Sequence, residues 1–424
     1  MKLDNSPPRG TRDLLPAAVA VRDEALATIA AVYRRYGYRR IETPALESIE
    51  RLQSDQGGEN EKLIFQVLKR GLSDPVEAGT PLRALIDYGL RFDLTVPLTR
   101  FYGNNHAALP LPFRSFQAGP VWRAERPQKG RYRQFTQCDI DVIGEESVLA
   151  EIELIEATTE ALAAVGLRGT TVRLSDRRFL SALATSVGLP PESHGSFFIT
   201  LDKLDKIGWD GVAAELTARG VPADAVASAR ARIEALEHAP PGALADALEK
   251  AVPELPADVL ADLATTARGL EQLEGITWRF DPTLVRGMGY YTGQIFEVGH
   301  PDLSYSIAGG GRYDKLVGRS LGRDVPACGF SIGFERIVDL IGAPARTEHV
   351  AVLFETDVPL TDAVAAARTL RADGRTVTVV RRSGKLGAQL GRLEEVGVTS
   401  YVPLRAHLPA DALPEERLLE RADP

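Results

Sequence analysis

The sequence is poor in the residues that build disulfide and zinc frameworks. Its 424 residues include only two cysteines, Cys138 and Cys328, which lie far apart and form no CxxC pair. The six histidines are scattered and match neither HExxH nor a comparable ligand spacing. We therefore expect no disulfide scaffold and no structural metal held by protein side chains.

Long apolar runs are also missing. No stretch approaches the roughly 20 apolar residues that span a bilayer, and the first ten residues, MKLDNSPPRG, contain no apolar core of the secretory type. Hydrophobic residues nevertheless make up 44% of the chain, which is ordinary for a globular protein and argues against general disorder. These features predict a cytoplasmic protein of two to four domains with no membrane partner.

The whole chain is mildly acidic, but its charge is unevenly distributed. Fifty Lys and Arg residues stand against 58 Asp and Glu residues, so the formal net charge is −8. Residues 114–133, RSFQAGPVWRAERPQKGRYR, carry six basic residues and one acidic residue, and residues 368–392 carry seven and one. Both stretches suit phosphate or nucleic acid, although arginines on a helix often only cover apolar neighbours.

Changes in the apolar pattern predict an α+β protein of three parts. Residues 1–167 and 276–341 are rich in strand-like runs and glycine-containing turns, and they predict one domain built from two halves. Residues 168–275 are rich in Ala, Leu and Glu at helical spacing, which predicts a helical insertion. Residues 347–424 alternate β-α-β-α-β, which predicts a small α/β domain with parallel strands.

The first basic stretch predicts a hairpin with an exposed basic loop. Arg123 and Glu125 lie two residues apart and therefore share one face of a strand. A turn at PQKG would bring Arg131, Arg133 and Phe135 alongside them. The hairpin floor would then combine a cation, a carboxylate and an aromatic ring, although a solvated charged hairpin fits the spacing equally well.

Two glycine-rich segments allow close approach of backbone or ligand. In LVRGMGYYTGQIFEV, Arg286 precedes Tyr290 and Tyr291, and a twisted core strand with a bulge is the simplest structural interpretation. The segment IAGGGRYDKLVG matches neither the Walker A pattern nor GxGxxG, and by itself it predicts only a flexible turn.

Two further segments carry isolated polar candidates. In LRFDLTVPLTR, Asp93 and Thr95 fall on one face of a predicted strand and could receive an ammonium group, although a buried aspartate capping a turn fits equally well. In GFSIGFERI, a strand is predicted to run into a helix that carries Arg336.

Taken in order, these segments resemble class II aminoacyl-tRNA synthetases, and specifically the histidine–tRNA ligase family. The segment FRSFQAGPVWRAERPQKGRYRQFTQCDIDVIG is similar to motif 2, RIETPALE around Pro44 to the dimer-forming motif 1, and GFERI to motif 3. LVRGMGYYTG and AGGGRYDKLVG look like the two histidine-specific motifs. The resemblance implies an antiparallel-sheet catalytic domain with a helical insertion, an anticodon-binding-like C-terminal domain, and a homodimer.

The resemblance also implies an activity and a set of site residues. Histidine would be activated with ATP and Mg²⁺ to histidyl-adenylate and transferred to tRNA, with positioned cations stabilising the charge on the phosphates. The expected catalytic cations are Arg123, Arg286 and Arg336. The expected ATP contacts are Arg123, Glu125, Arg131, Arg133, Phe135 and Arg336. The expected histidine contacts are Asp93, Thr95, Gln137, Asp141, Tyr290 and Tyr291. The expected tRNA contacts are Arg381 and Arg382.

Two departures from the family pattern keep alternatives open. Gly289 stands where the family usually has an acidic residue, and the chain after residue 405 shows no closing strand and helix, which predicts a shortened C-terminal domain. One alternative is the synthetase-like regulatory subunit of ATP phosphoribosyltransferase, which generally lacks a C-terminal domain and the catalytic motifs. Another is a synthetase paralogue that charges an acceptor other than tRNA.

Overall fold

The computed structural model describes residues 3–53, 62–73, 75–128, 130–237, 239–285, 290–342, 348–405 and 413–419. The chain divides into two compact units. One comprises Met1–Leu14 and Arg22–Gly342, and the other comprises Leu15–Val21 and Ala343–Pro424. Within the described ranges, every helix is too short or too polar to cross a bilayer.

The strands and helices up to Gly342 follow each other irregularly, as expected for an α+β protein. The strands are β1 (Arg39–Arg40), β2 (Leu46–Ser48), β3 (Gln66–Leu68), β4 (Ile86–Leu90), β5 (Phe113–Trp122), β6 (Gln134–Ile143), β7 (Thr171–Asp176), β8 (Thr277–Phe280), β9 (Gln294–Gly299), β10 (Ala308–Arg312) and β11 (Ala327–Gly333). The helices are α1 (Pro16–Arg35), α2 (Ile49–Leu52), α3 (Thr95–Asn105), α4 (Leu149–Ala164), α5 (Arg177–Ser186), α6 (Pro191–Leu201), α7 (Leu204–Ala218), α8 (Ala223–Glu237), α9 (Leu244–Ala251), α10 (Ala257–Glu271), α11 (Asp314–Leu321) and α12 (Phe334–Val338).

Eight of these strands form one large sheet in the order β1-β5-β6-β11-β10-β9-β7-β8. All neighbours from β5 to β7 pair antiparallel, and only the two edge pairs are parallel. A second, three-stranded antiparallel sheet has the order β2-β4-β3. The predicted α+β class with a large antiparallel sheet is confirmed.

The alternation of side chains along β6 separates the core from an open face of the sheet. Cys138 and Ile140 belong to the main hydrophobic core, together with residues of α1 and α4. Gln137, Asp139 and Asp141 occupy the alternate positions and therefore point to the opposite face. Three polar side chains in a row thus reach one surface of the sheet.

Three local predictions differ from the structure. The helical region begins at Arg177, because Thr171–Asp176 forms β7 of the large sheet. The segment after Asp93 is helix α3 rather than a strand. The glycine triplet of AGGGR is strand β10 rather than a flexible turn. A Cβ at Gly310 would lie 2.1 Å from the carbonyl oxygen of Gly329, so the close packing of β10 on β11 requires glycine there.

The C-terminal unit has the predicted alternating order. It contains β12 (His349–Phe354), α13 (Leu360–Ala372), β13 (Thr376–Arg381), α14 (Leu386–Glu395), β14 (Ser400–Leu404) and β15 (Arg417–Leu418). Strands β13, β12 and β14 are parallel, as predicted, and β15 adds an antiparallel edge strand that the sequence pattern does not predict.

Candidate active site

A cleft of about 380 Å³ lies in the larger unit, lined by residues of β6, β9, β10, β11 and α12, by the start of α3 and by the loop between β5 and β6. Most of the predicted site residues line it: Asp93, Thr95, Arg123, Glu125, Arg131, Phe135, Gln137, Asp141, Tyr290, Tyr291 and Arg336. Residues that are more than 200 positions apart in the sequence therefore meet in one cavity. Arg286 and Gly289 lie outside the described residues.

Acceptor oxygens without partners are concentrated in this cleft. The structure leaves four buried side-chain oxygens without a hydrogen bond there: Asp93 Oδ2, Gln137 Oε1, Asp139 Oδ1 and Asp141 Oδ2. A buried acceptor without a donor costs about 1–3 kcal/mol. Such a set is complementary to a ligand that is rich in N–H donors, such as an ammonium group together with a ring N–H.

Asp141 is held by a hydrogen bond from the hydroxyl of Tyr313. The donor–acceptor distance is 2.5 Å, and both side chains are buried. Burial raises the pKa of Asp141 to about 7, although the Tyr313 hydrogen bond lowers it in part. The carboxylate sits directly over Gly329, where a Cβ would lie 2.1 Å from Asp141 Oδ1. Gly329 therefore makes room for the Asp141–Tyr313 pair.

Asp93 and Thr95 lie in the cleft, but they stand at the start of a helix and not on the predicted strand. Asp93 precedes α3, and its Oδ1 accepts a hydrogen bond from the Val96 N–H at 3.0 Å, while Thr95 is the first residue of the helix. The alternative of a buried, turn-capping aspartate is therefore correct for one oxygen of Asp93. The other oxygen is free to meet a ligand, and burial raises the pKa of the Asp93 carboxyl.

The predicted hairpin is formed by β5 and β6 and brings cations, an acid and a ring together. The Cζ of Arg123 lies 5.0 Å from the centroid of the Phe135 ring, and its Nε donates to the carbonyl of Phe92 at 3.0 Å. Arg131 Nη1 lies 3.7 Å from Glu125 Oε2. The floor of cation, carboxylate and ring that the spacing predicted is present, and it faces the cleft.

Arg336 enters the cleft from α12, as the sequence indicated for GFERI. Its Nη1 donates to the carbonyl oxygen of Ser306, and its Cζ lies 5.0 Å from the centroid of the Tyr305 ring. The neighbouring Glu335 also lines the cleft but receives hydrogen bonds from Arg12 and Arg22.

Three predicted residues lie elsewhere. Arg133 does not line the cleft, because its Nε donates to the Glu125 carbonyl at 3.1 Å and its Nη1 reaches the Arg9 carbonyl at 3.4 Å. Arg381 and Arg382 belong to the C-terminal unit, at the end of β13. Arg382 Nη1 donates to the carbonyl oxygens of Ser383 and Gly384 there.

Several cleft residues were not predicted from the sequence. They are Tyr132, Asp139, Glu297, Ser306, Tyr313 and Ser331, among others. Asp139 could have been found from the period of two between Gln137 and Asp141. Burial and the charge of Asp141 raise the pKa of Asp139 well above its usual range. Tyr313 carries no local signal, because only the pairing of β10 with β11 brings it to Asp141.

The donor set for a metal ion is limited. Across the described ranges, no group of three or more His, Cys, Asp or Glu side chains is arranged to hold a metal ion. The carboxylate of Glu297 lines the cleft beside Ser306. A single carboxylate fits the way Mg²⁺ commonly binds with a nucleotide, because the phosphates and waters supply the remaining ligands.

Comparisons with known proteins agree with this geometry. A family model described as histidyl-tRNA synthetase matches residues 10–337. The histidine–tRNA ligase of Leifsonia xyli subsp. xyli is 48% identical, and the alignment covers 98% of this chain and 99% of that protein.

Two solved structures show the same fold. The histidyl-tRNA synthetase of Nostoc sp. PCC 7120 matches with a TM-score of 0.79 at 27% identity, covering 96% of this chain and 92% of that one. A structure from Bacillus halodurans C, described as an ATP phosphoribosyltransferase regulatory subunit/histidyl-tRNA synthetase, has a TM-score of 0.77 at 21% identity and covers 96% and 100%. The family model matches residues 10–337, and the relative from Leifsonia xyli is 48% identical over 98% of this chain. The chain therefore belongs to the histidyl-tRNA synthetase family.

Proposed function

We propose that this protein activates histidine with ATP to histidyl-adenylate and transfers the histidyl group to tRNA, releasing diphosphate and AMP. The observation that carries the proposal is the cleft itself. Four buried acceptor oxygens without donors share one cavity with Arg123, Arg131 and Arg336. A donor-rich amino acid and a polyanionic nucleotide satisfy both sets of groups.

Histidine would bind at the carboxylate-rich part of the cleft. The α-ammonium group has three hydrogens, which match the free oxygens of Asp93, Gln137 and Asp139. The imidazole N–H would donate to Asp141, which Tyr313 holds in place. A site built to hydrogen-bond a group rejects analogues without it by about 10⁴ to 10⁵. Tyr290 and Tyr291 pack edge to face with centroids 4.8 Å apart and would border this pocket.

ATP would bind at the hairpin and α12. Phe135 and Glu125 suit the adenine ring and its amino group, while Arg123, Arg131 and Arg336 suit the phosphates. The histidine carboxylate oxygen attacks the α-phosphorus, and the bond to the diphosphate oxygen breaks. Because negative charge grows on the phosphate oxygens in this step, fixed guanidinium groups stabilise the transition state.

Two further contributors complete the proposed site. Mg²⁺, bound through the nucleotide phosphates and Glu297, would neutralise part of the phosphate charge. Arg286, which lies outside the described residues, is assigned to the α-phosphate from the family resemblance alone.

The C-terminal unit is proposed to bind the anticodon arm of tRNA, and the helices within residues 177–275 are proposed to be the insertion domain. Arg381 is exposed, and its Cζ lies 5.5 Å from the Phe354 ring centroid, whereas Arg382 holds the β13–α14 loop. Arg381→Ala combined with Arg382→Ala should weaken tRNA binding and reduce its salt dependence by about 0.7–0.9 log units per lost phosphate contact. Histidine activation should be unchanged, since that step needs no tRNA.

We further propose that two copies of the chain associate through the three-stranded sheet. Leu46 and Tyr88 lie on one face of the β2–β4 pair and are 48% and 50% exposed. This sheet includes the segment that resembles the dimer-forming motif 1. Exposed apolar groups clustered on one sheet face are typical of a subunit interface.

Because the substrate tRNA is cytoplasmic, we assign the protein to that compartment.

The proposal is tested by two assays on the same preparation. Histidine-dependent exchange between ATP and labelled pyrophosphate measures activation, and charging of tRNA with labelled histidine measures transfer. We expect both. Exchange without charging would indicate a paralogue with another acceptor. Absence of both would indicate a regulatory protein instead.

A further inference from the structure

The N-terminal segment lies along the outer side of the nucleotide-binding hairpin. The Gly10 carbonyl accepts a hydrogen bond from the Arg133 N–H at 2.7 Å. Gly10 has φ of +85°, and a Cβ there would lie 2.8 Å from the side chains of both Pro127 and Arg133. The segment therefore packs tightly against both arms of the hairpin, and only glycine fits at this contact.

Arg12 joins the hairpin to α12 from behind the cleft wall. Its Nη2 donates to the Oε2 of Glu335, which is the second residue of α12. The other donates to the Tyr132 hydroxyl at 3.1 Å, and its Cζ lies 4.2 Å from the centroid of the Tyr132 ring. Tyr132 and Glu335 line the cleft, and Arg12 does not. Arg12 therefore contacts two walls of the site without entering it.

Glu335 has a second anchor that does not involve Arg12. Arg22 donates to both of its carboxylate oxygens at 2.7 and 2.8 Å, and the Thr136 N–H donates to Oε1 at 3.1 Å. These bonds tie Glu335 to α1 and β6 even when Arg12 is replaced. Loss of Arg12 should therefore release Tyr132 and the hairpin tip while α12 stays in place.

We propose that Arg12 is a positioning residue for ATP. It fixes the hairpin tip to α12 and so sets the separation between Arg131 on the hairpin and Arg336 on α12. Both arginines would grip phosphates under the function proposed above, on which this inference rests. The proposed histidine contacts lie on β6, at the start of α3 and in the segment before β9, whereas Arg12 bonds to Tyr132 and Glu335.

The test compares Arg12→Met and Arg12→Lys with a matched control, Arg35→Met. Arg35 also forms an ion pair, with Glu160 on α4, but the pair is exposed and none of its residues lines the cleft. KM values for ATP and histidine are measured by pyrophosphate exchange, and ATP binding by calorimetry on the full chain without histidine. Thermal unfolding shows that each variant is folded at the assay temperature.

We expect Arg12→Met to raise KM and Kd for ATP by about 5- to 50-fold, given the usual strength of cation–π contacts and charged hydrogen bonds, and to leave KM for histidine unchanged. Arg12→Lys keeps the charge but loses the planar fork, so its values should fall between wild type and Arg12→Met. Arg35→Met should match wild type.

An unchanged KM for ATP, or equal rises in both KM values, would overturn the positioning role. If Arg12→Met does not fold, Arg12→Lys provides the same comparison. Absence of exchange in the wild type would instead refute the proposed function, and the calorimetric ATP titration would still measure the effect of Arg12.

Discussion

Replacing Gly329 by alanine should open the Asp141–Tyr313 pair without altering either side chain. The added Cβ would lie 2.1 Å from Asp141 Oδ1 and 3.2 Å from Tyr313 Cε1, well inside van der Waals contact. Gly329 sits in β11, which is hydrogen-bonded to β6 on one side and β10 on the other. Because the strand is held on both edges, the carboxylate must move away.

The size of the effect follows from the bond that is lost. A hydrogen bond to a charged group contributes about 1.5–3 kcal/mol, and 1.4 kcal/mol corresponds to a factor of ten. Gly329→Ala should therefore lower kcat/KM for histidine by about 10- to 150-fold. KM for ATP should change little, because Asp141 is not among the proposed nucleotide contacts.

The assay is histidine-dependent pyrophosphate exchange, with two comparison variants. Gly299→Ala adds the same methyl group to β9 outside the cleft, where it would meet only the carbonyl oxygen of Thr171 at an ordinary 3.9 Å. Tyr313→Phe removes only the hydroxyl. If Gly329→Ala acts through this pair, the double variant with Tyr313→Phe should lose less than the sum of the single losses. A folded Gly329→Ala protein with wild-type kcat/KM for histidine would show that histidine recognition does not depend on the room Gly329 leaves for the Asp141–Tyr313 pair.

Three other results are expected. Burial raises the pKa of Asp141 to about 7, so kcat/KM for histidine should rise as pH increases through 7 and Asp141 ionises. Asp141→Asn should abolish this rise of kcat/KM with pH. If the rise persists in the variant, it reports ionisation of the substrate instead. Glu151→Ala strands the buried Arg312, whose Nε and Nη2 both lie 2.7 Å from the Glu151 oxygens, and should lower the free energy of unfolding by about 3–5 kcal/mol in urea titrations. Glu234→Ala, which breaks the exposed ion pair with Arg230, should cost less than about 1 kcal/mol. Tyr88→Lys should shift light-scattering mass from dimer towards monomer, and a wild-type monomer at micromolar concentration would contradict the proposed interface.

Features set by local periodicity could be predicted from the sequence. The β5–β6 hairpin follows from two strand-like runs around a PQKG turn, and the C-terminal β-α-β order follows from alternating apolar segments. The buried face of α13 could not be predicted in the same way. Leu360 and Val364 are exposed, and the buried face consists mostly of alanines, whose small side chains carry little hydrophobic signal.

Features set by distant contacts could not be predicted. Tyr313 reaches Asp141 only because β10 and β6 both flank β11. Arg133 was expected at the phosphates, but its side chain donates to the Glu125 carbonyl and to the Arg9 carbonyl of the N-terminal segment instead. A sequence pattern gives the residue types of the site, whereas the contacts of Asp141 and Arg133 depend on residues more than 100 positions away.

Under the proposed function, the free oxygens of Asp93, Gln137, Asp139 and Asp141 select histidine. The most direct measurement is charging of tRNA with each of the twenty amino acids by the wild-type protein. We predict charging with histidine alone, with competing amino acids disfavoured by about 10⁴ or more. Efficient charging with another amino acid, or no charging with histidine, would contradict it.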